Sequence, residues 1–240
     1  MYWTDEGYLL SKNNFDENSI IIETFTLKHG KYSGIVYGGS SRKNKRNFQI
    51  GNKILLNWKS KGENKSGYFN IELIKPVAPL FFDDKKRSVS ILSATSILKI
   101  LLPERQININ IYNSFEKMLN QLNSDNWIQL YIYWELSLIK DLGYEISFLN
   151  TENSELIINN KIQINNKTFR IPKMLSSKNI KDIYDNEIKE ALIFNKNLLM
   201  ENFIIPNRLR FPLYRKILEN YYSWRLLIIL IFLRFHQQNK

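Results

Sequence analysis

The spacing of apolar residues changes from alternating to helical at Val77-Ala78, between Pro76 and Pro79, and that change divides the chain into a β part followed by a mainly α part. Proline neither donates to a strand ladder nor continues a helix, so the pair marks a boundary. Before it, Gly7–Ser11, Ser19–Thr26, Lys31–Tyr37, Lys53–Trp58 and Tyr68–Ile74 read as strands. In the last of these, Phe69, Ile71 and Leu73 share one face while Tyr68, Asn70 and Glu72 take the other, the alternation of a half-buried strand. Five short strands joined by turns predict a small closed barrel, and the five-stranded barrel that binds single-stranded nucleic acid is the OB-fold. After the prolines the spacing is helical. Val89, Leu92, Leu98 and Leu102 form one stripe, Tyr112, Phe115, Met118, Leu119 and Leu122 a second, and Trp127, Leu130, Tyr131, Trp134, Leu138 and Leu142 a third that ends at Gly143. The acids and cations of Asp83-Asp84-Lys-Lys-Arg87 read as a helix start, with negative charge at the positive end of the dipole. Between Ile146 and Pro172 an Asn-rich stretch reads as a small hairpin or irregular insert, and helical spacing returns at Ile188, Leu192 and Leu199 and again at Leu213, Ile217 and Tyr221. The fold class is therefore α+β, with an OB-fold domain over 1–79 and a helical domain over 80–240 that carries an insert at about 146–172.

Charge is concentrated in the β part. Between Lys28 and Lys65 lie ten basic residues and one acid, Glu63, which together supply +9 of the chain's formal +11. The centre of this stretch is a glycine-led loop carrying Arg42, Lys43, Lys45 and Arg46. Gly38 and Gly39 permit positive φ and end a strand, and four cations in five positions repel one another unless an anion crosses them. A phosphate backbone is such an anion. A solvated turn is the other reading of the same loop. The candidate DNA contacts are Lys28, Lys31, Arg42, Lys43, Lys45, Arg46, Lys59 and Lys61, with Tyr32, Tyr37, Trp58 and Tyr68 as aromatics that could stack bases.

Several chemistries have no counterpart in the sequence. There is no cysteine, which removes disulfides and thiolate metal sites and fits a reducing compartment. The two histidines, His29 and His236, stand far apart without cysteine partners, and His29, beside Lys28 and Gly30, reads as a turn residue or a phosphate contact. Gly62-Glu-Asn-Lys-Ser66 lacks the glycine that a P-loop places before its lysine. The acidic pairs Asp5-Glu6, Asp16-Glu17 and Asp83-Asp84 could in principle feed a nuclease, but neighbours on a strand point to opposite faces. No enzyme activity and no cofactor are expected. The acidic start is unlike a secretion signal. The longest apolar run, Leu226 to Leu233, is eight residues against the ~20 a membrane helix needs, so a cytoplasmic protein without a membrane partner is expected.

In order along the chain, Trp3-Thr-Asp-Glu-Gly7, Phe25-Thr-Leu-Lys-His-Gly-Lys31, Val36-Tyr-Gly-Gly39, Gln49-Ile-Gly-Asn52, Leu102-Pro-Glu-Arg105, Trp134-Glu-Leu136, Leu142-Gly143 and Pro206-Asn-Arg-Leu-Arg210 resemble the RecO family of bacterial recombination mediators. The resemblance implies an N-terminal OB-fold, a helical domain, binding of single- and double-stranded DNA, strand annealing, and partnership with RecR, RecA and the acidic C-terminal tail of single-strand binding protein. Such a tail needs cations on the helical domain, for which Arg87, Arg105, Lys140, Arg208 and Arg210 are candidates. Many members also carry a cysteine zinc module where this chain has its insert, and zinc is not carried over. The tail from Tyr222 to Lys240 matches nothing in the family pattern. A scaffold that recognises acidic partners, with incidental DNA contact, is the alternative function.

Overall fold

The computed structural model describes residues 1–41, 48–60, 62, 67–144, 161–176 and 184–223. Five strands, β1 (Tyr2–Asn14), β2 (Ser19–Thr26), β3 (Gly30–Tyr37), β4 (Lys53–Lys59) and β5 (Tyr68–Lys75), close into a barrel in the order β1-β2-β3-β5-β4. β1 is long enough to serve two neighbours: Tyr2 to Tyr8 pair with β4, and Gly7 to Asn14 pair with β2. A register shift between Leu9 and Ser11 lets the strand turn between its two partners. β3 and β5 close the barrel in parallel, with Ile35 opposite Tyr68. This is an OB-fold barrel. Its interior is filled by Leu9, Ile20, Ile22, Val36, Phe48, Ile54, Leu56, Trp58 and Phe69.

β1 begins well before the Gly7 start read from its apolar residues, because Asp5 and Glu6 interrupt the pattern. Asp5 is nonetheless buried. Its carboxylate accepts hydrogen bonds from the Lys28 backbone N–H at 2.8 Å and from His29 Nδ1 at 2.9 Å, so the charge enters the strand already satisfied.

Beyond the barrel, Asn52 ties down the proline-flanked linker, its Oδ1 accepting from the backbone N–H groups of Val77 and Ala78. A short 3-10 turn (Ala78–Phe81) leads to α1 (Lys85–Leu101), where Asp84 is the N-cap and accepts from the Arg87 N–H. α2 (Ile109–Asn120) follows. Both helices join the barrel in one compact unit, Met1–Asn120. The physical reason is on the outer wall of β1 and β2. Tyr8 and Phe25 point away from the barrel interior, and Tyr112 and Phe115 of α2 cover them, with ring centroids 5.2 to 5.6 Å apart. Tyr8 also donates to Glu116, which accepts from Lys53.

The second unit, Gln121–Lys240, contains α3 (Trp127–Asp141), a hairpin of β6 (Lys161–Ile164) and β7 (Lys167–Arg170), the single turn α4 (Lys173–Ser176), α5 (Asp185–Leu199) and α6 (Leu213–Tyr221). Asn165 and Asn166 both adopt positive φ, 47° and 62°, the requirement of a two-residue hairpin turn. The hairpin accounts for part of the predicted insert; residues 145–160 lie outside the described residues. α3 packs on α5, and Tyr131, Leu138, Leu192 and Leu199 of the two helices are buried. Among the described residues, no helix is long and apolar enough to cross a membrane.

Candidate nucleic-acid interface

Alternation along the strands sorts the aromatics of the barrel into two sets. Trp3, Trp58 and Phe69 occupy adjacent register positions on β1, β4 and β5 and face inward. One residue along, Tyr2 pairs with Lys59 and Lys59 with Tyr68, and these face outward. The Lys59 ammonium lies 5.6 Å from the Tyr2 ring centroid, a cation–π contact at the surface. Tyr37, at the end of β3, brings its ring to 6.0 Å from that of Tyr68. Tyr2, Lys59, Tyr68 and Tyr37 thus form one row across four strands of the barrel wall. Tyr2 is 63% exposed and Tyr37 65%.

The two basic loops spring from this row. The loop with Arg42, Lys43, Lys45 and Arg46 leaves β3 directly after Tyr37, through Gly38 at φ 71°. The loop with Lys61 leaves after Lys59 and returns at Tyr68. Those five cations lie outside the described residues.

Of the remaining cations, Lys28 is exposed in the turn between β2 and β3. Lys31 is not part of any open face: it is buried, and its ammonium donates to the Lys99 carbonyl at 2.9 Å, where it fastens α1 to the barrel. A cation engaged in this way is not available to a phosphate, which corrects the expectation for Lys31. Trp58, 2% exposed, is likewise core and not a stacking surface. Tyr32 is half-buried, with the Arg105 guanidinium 5.4 Å from its ring centroid. Tyr2 was not among the sequence candidates, although Tyr2-Thr4-Glu6 against Trp3-Asp5-Gly7 carries the alternation; the two acids hide it.

The acidic pairs have structural work. Asp5 binds Lys28 and His29, Glu6 pairs with Lys53, Asp16 accepts from the backbone of Asn18 and Ser19, and Asp84 caps α1. The Asn18 and Ser19 bonds hold the Asp16 carboxyl below its ordinary range. Among the described residues, no cluster of three or more histidine, aspartate or glutamate side chains could hold a metal ion, and with no cysteine in the chain the residues do not fit a thiolate zinc site.

An N-terminal family model of Recombination protein O matches residues 1–77, and the C-terminal model of the same family matches 83–228. The chain belongs to the recombination protein O family. This RecO-family chain is similar to the DNA repair protein RecO of Roseobacter denitrificans, 34% identical over 148 residues that span 61% of this chain and 61% of that protein. It is also similar to the RecO proteins of Hyphomonas neptunium, 34% identical over 147 residues (60% of each chain), and of Wolbachia pipientis, 32% identical over 148 residues (61% and 60%). Each alignment spans about three fifths of the relative's length. In this RecO-family chain the candidate partner-binding cations do not belong to one unit. Arg87 and Arg105 are in the barrel unit, Arg87 paired with Asp84, whereas Lys140, Arg208 and Arg210 are exposed in the second unit.

Proposed function

We propose that this protein is a DNA-binding recombination mediator and strand-annealing protein of recombinational DNA repair, working in the cytoplasm with RecR, RecA and the tail of single-strand binding protein. The observation that carries the proposal is the outward row Tyr2–Lys59–Tyr68–Tyr37 on an OB-fold barrel, flanked by two basic loops. Every base has a π-face, so tyrosines offer sequence-tolerant stacking worth ~1–3 kcal/mol per base, and lysines and arginines add phosphate affinity by releasing counterions. Complementary strands repel through their phosphates. A cationic surface that holds both lowers the encounter barrier, and base pairing drives the rest, so annealing requires neither nucleotide nor metal. Lys140, Arg208 and Arg210 are the proposed contacts for an acidic tail, letting the protein work on strands already coated by single-strand binding protein.

The test is a fluorescence annealing assay without nucleotide, on naked strands and on strands coated with full-length or tail-deleted single-strand binding protein. Tyr37→Ala with Tyr68→Ala is expected to weaken single-strand binding by about tenfold or more and to slow annealing. Unchanged affinity in that variant sinks the interface. A requirement for nucleotide sinks the passive mechanism, and equal rates on the two coats remove the recruitment step.

A further inference from the structure

A column of three aromatic rings runs from the barrel core to the surface. Trp58 is buried, Trp3 stacks on it with centroids 5.6 Å apart and planes 16° from parallel, and His29 stacks on Trp3 at 4.1 Å and 9°. Tyr32 braces the column edge-on, meeting Trp3 at 5.1 Å and 76° and His29 at 6.4 Å and 82°. The outermost ring is held unusually firmly for a turn residue. Its Nδ1 lies 2.9 Å from the Asp5 carboxylate, a group 1% exposed that also accepts from the Lys28 N–H, and the His29 N–H donates to Thr26 Oγ1 at 3.2 Å. A buried carboxylate is costly unless it is satisfied, and here its satisfaction fixes the tilt of the imidazole.

With one face on Trp3 and one edge on Asp5, the His29 side chain is still 29% exposed. Neither Trp3 nor Asp5 covers the opposite face of the ring or the edge carrying Nε2. We infer that the outer face of His29 is a stacking platform for one unpaired nucleobase, which joins Trp58, Trp3 and His29 as the fourth ring of the column. Imidazole is among the rings on which splayed-out bases stack. The surroundings favour a polyanion with planar groups: Lys28 is the neighbouring residue and is exposed, and the Arg105 guanidinium sits over Tyr32 at the same rim. A duplex keeps its bases stacked internally, so the ligand is a single strand. The inference rests on the proposed DNA binding but uses a platform separate from the Tyr2–Lys59–Tyr68–Tyr37 row.

Two substitutions separate the face of His29 from its hydrogen bond. His29→Gln keeps a donor for Asp5 and has no ring; His29→Phe keeps a ring and has no donor. The probe is an oligothymidine carrying one 2-aminopurine, whose fluorescence is quenched on stacking, titrated into each full-length protein, with thermal melting as the check that both variants are folded. Wild type is expected to bind and quench. His29→Gln should bind about tenfold more weakly and lose most of the quench, and His29→Phe should retain both. Wild-type affinity and quench in His29→Gln overturn the platform while leaving DNA binding intact, as does a loss in His29→Phe as large as that in His29→Gln. Failure of the wild-type protein to bind the oligonucleotide overturns the functional proposal and the platform with it.

Discussion

Replacing Arg215 by leucine removes a positive charge from the middle of the second unit. The guanidinium is fully buried, with Nε donating to Glu135 at 2.5 Å and one terminal nitrogen donating to Glu135 at 3.1 Å and to the Leu192 carbonyl at 2.6 Å. Glu135, equally buried, also accepts from Tyr131 at 2.8 Å and from Asn195 at 3.1 Å. Burial alone would lower the arginine's pKa; Glu135 beside it more than offsets this and raises it. Without Arg215, Glu135 is a buried anion with only neutral donors in its immediate shell. Breaking such a pair from one side costs about 3–5 kcal/mol, a large share of the ~5–15 kcal/mol that holds a domain together. At about 4 °C per kcal/mol for a unit of this size, the melting transition of the second unit should fall by about 12–20 °C in scanning calorimetry. Arg215→Leu combined with Glu135→Leu removes both charges and should recover a substantial part of the loss, leaving the cost of an unpaired Tyr131 hydroxyl and Leu192 carbonyl. The reasoning fails if Arg215→Leu melts within a few degrees of wild type, or if the double variant is less stable than the single one.

Glu116 should make the stability of the barrel unit depend on pH in one direction. Burial raises its pKa, but the Lys53 ammonium and the Tyr8 hydroxyl more than offset that and hold it below the ordinary carboxylate range, so its contribution is present above the unfolded value and lost as pH falls through the folded one. The stability gap between wild type and Glu116→Gln in urea melts should therefore shrink from about pH 6 to about pH 3; a constant gap contradicts the assignment. Gly30→Ala should destabilise the barrel unit by about 1–3 kcal/mol or more, since φ is 73° and an added Cβ would lie 2.1 Å from the Gln106 carbonyl oxygen; a wild-type melting temperature would show that this contact yields easily. Alanine at Arg42, Lys43, Lys45 and Arg46 together should weaken DNA binding equally for all sequences and flatten the log–log salt dependence by about 0.7 per lost contact on single strands. An unchanged slope would exclude the loop from the interface.

What could be read from the sequence was local. The change of period at Pro76 to Pro79, the alternation of Phe69 and Ile71 against Tyr68 and Asn70, the Asp84 cap and the helical stripes each depend on residues a few positions apart, and each identified an element. The barrel followed from the number and spacing of its strands, and the cationic loop from its composition. What covers a residue from outside its own element is not local, and there tertiary structure decided. Lys31 looked like any other cation of the basic stretch until α1 placed the Lys99 carbonyl over it. Tyr8 and Tyr68 each stand on the outward side of a strand, yet α2 covers the first and leaves the second in the exposed row. Asp5 and Arg215 carry charges that a sequence reading assigns to solvent; their partners, His29 and Glu135, lie 24 and 80 positions away. Strand parity states on which side a residue stands, because it is a property of the backbone. Whether that side meets water, a helix or a nucleic acid depends on chain segments brought there by folding, and so the aromatic row and the Trp58–Trp3–His29 column emerge only when the barrel is closed.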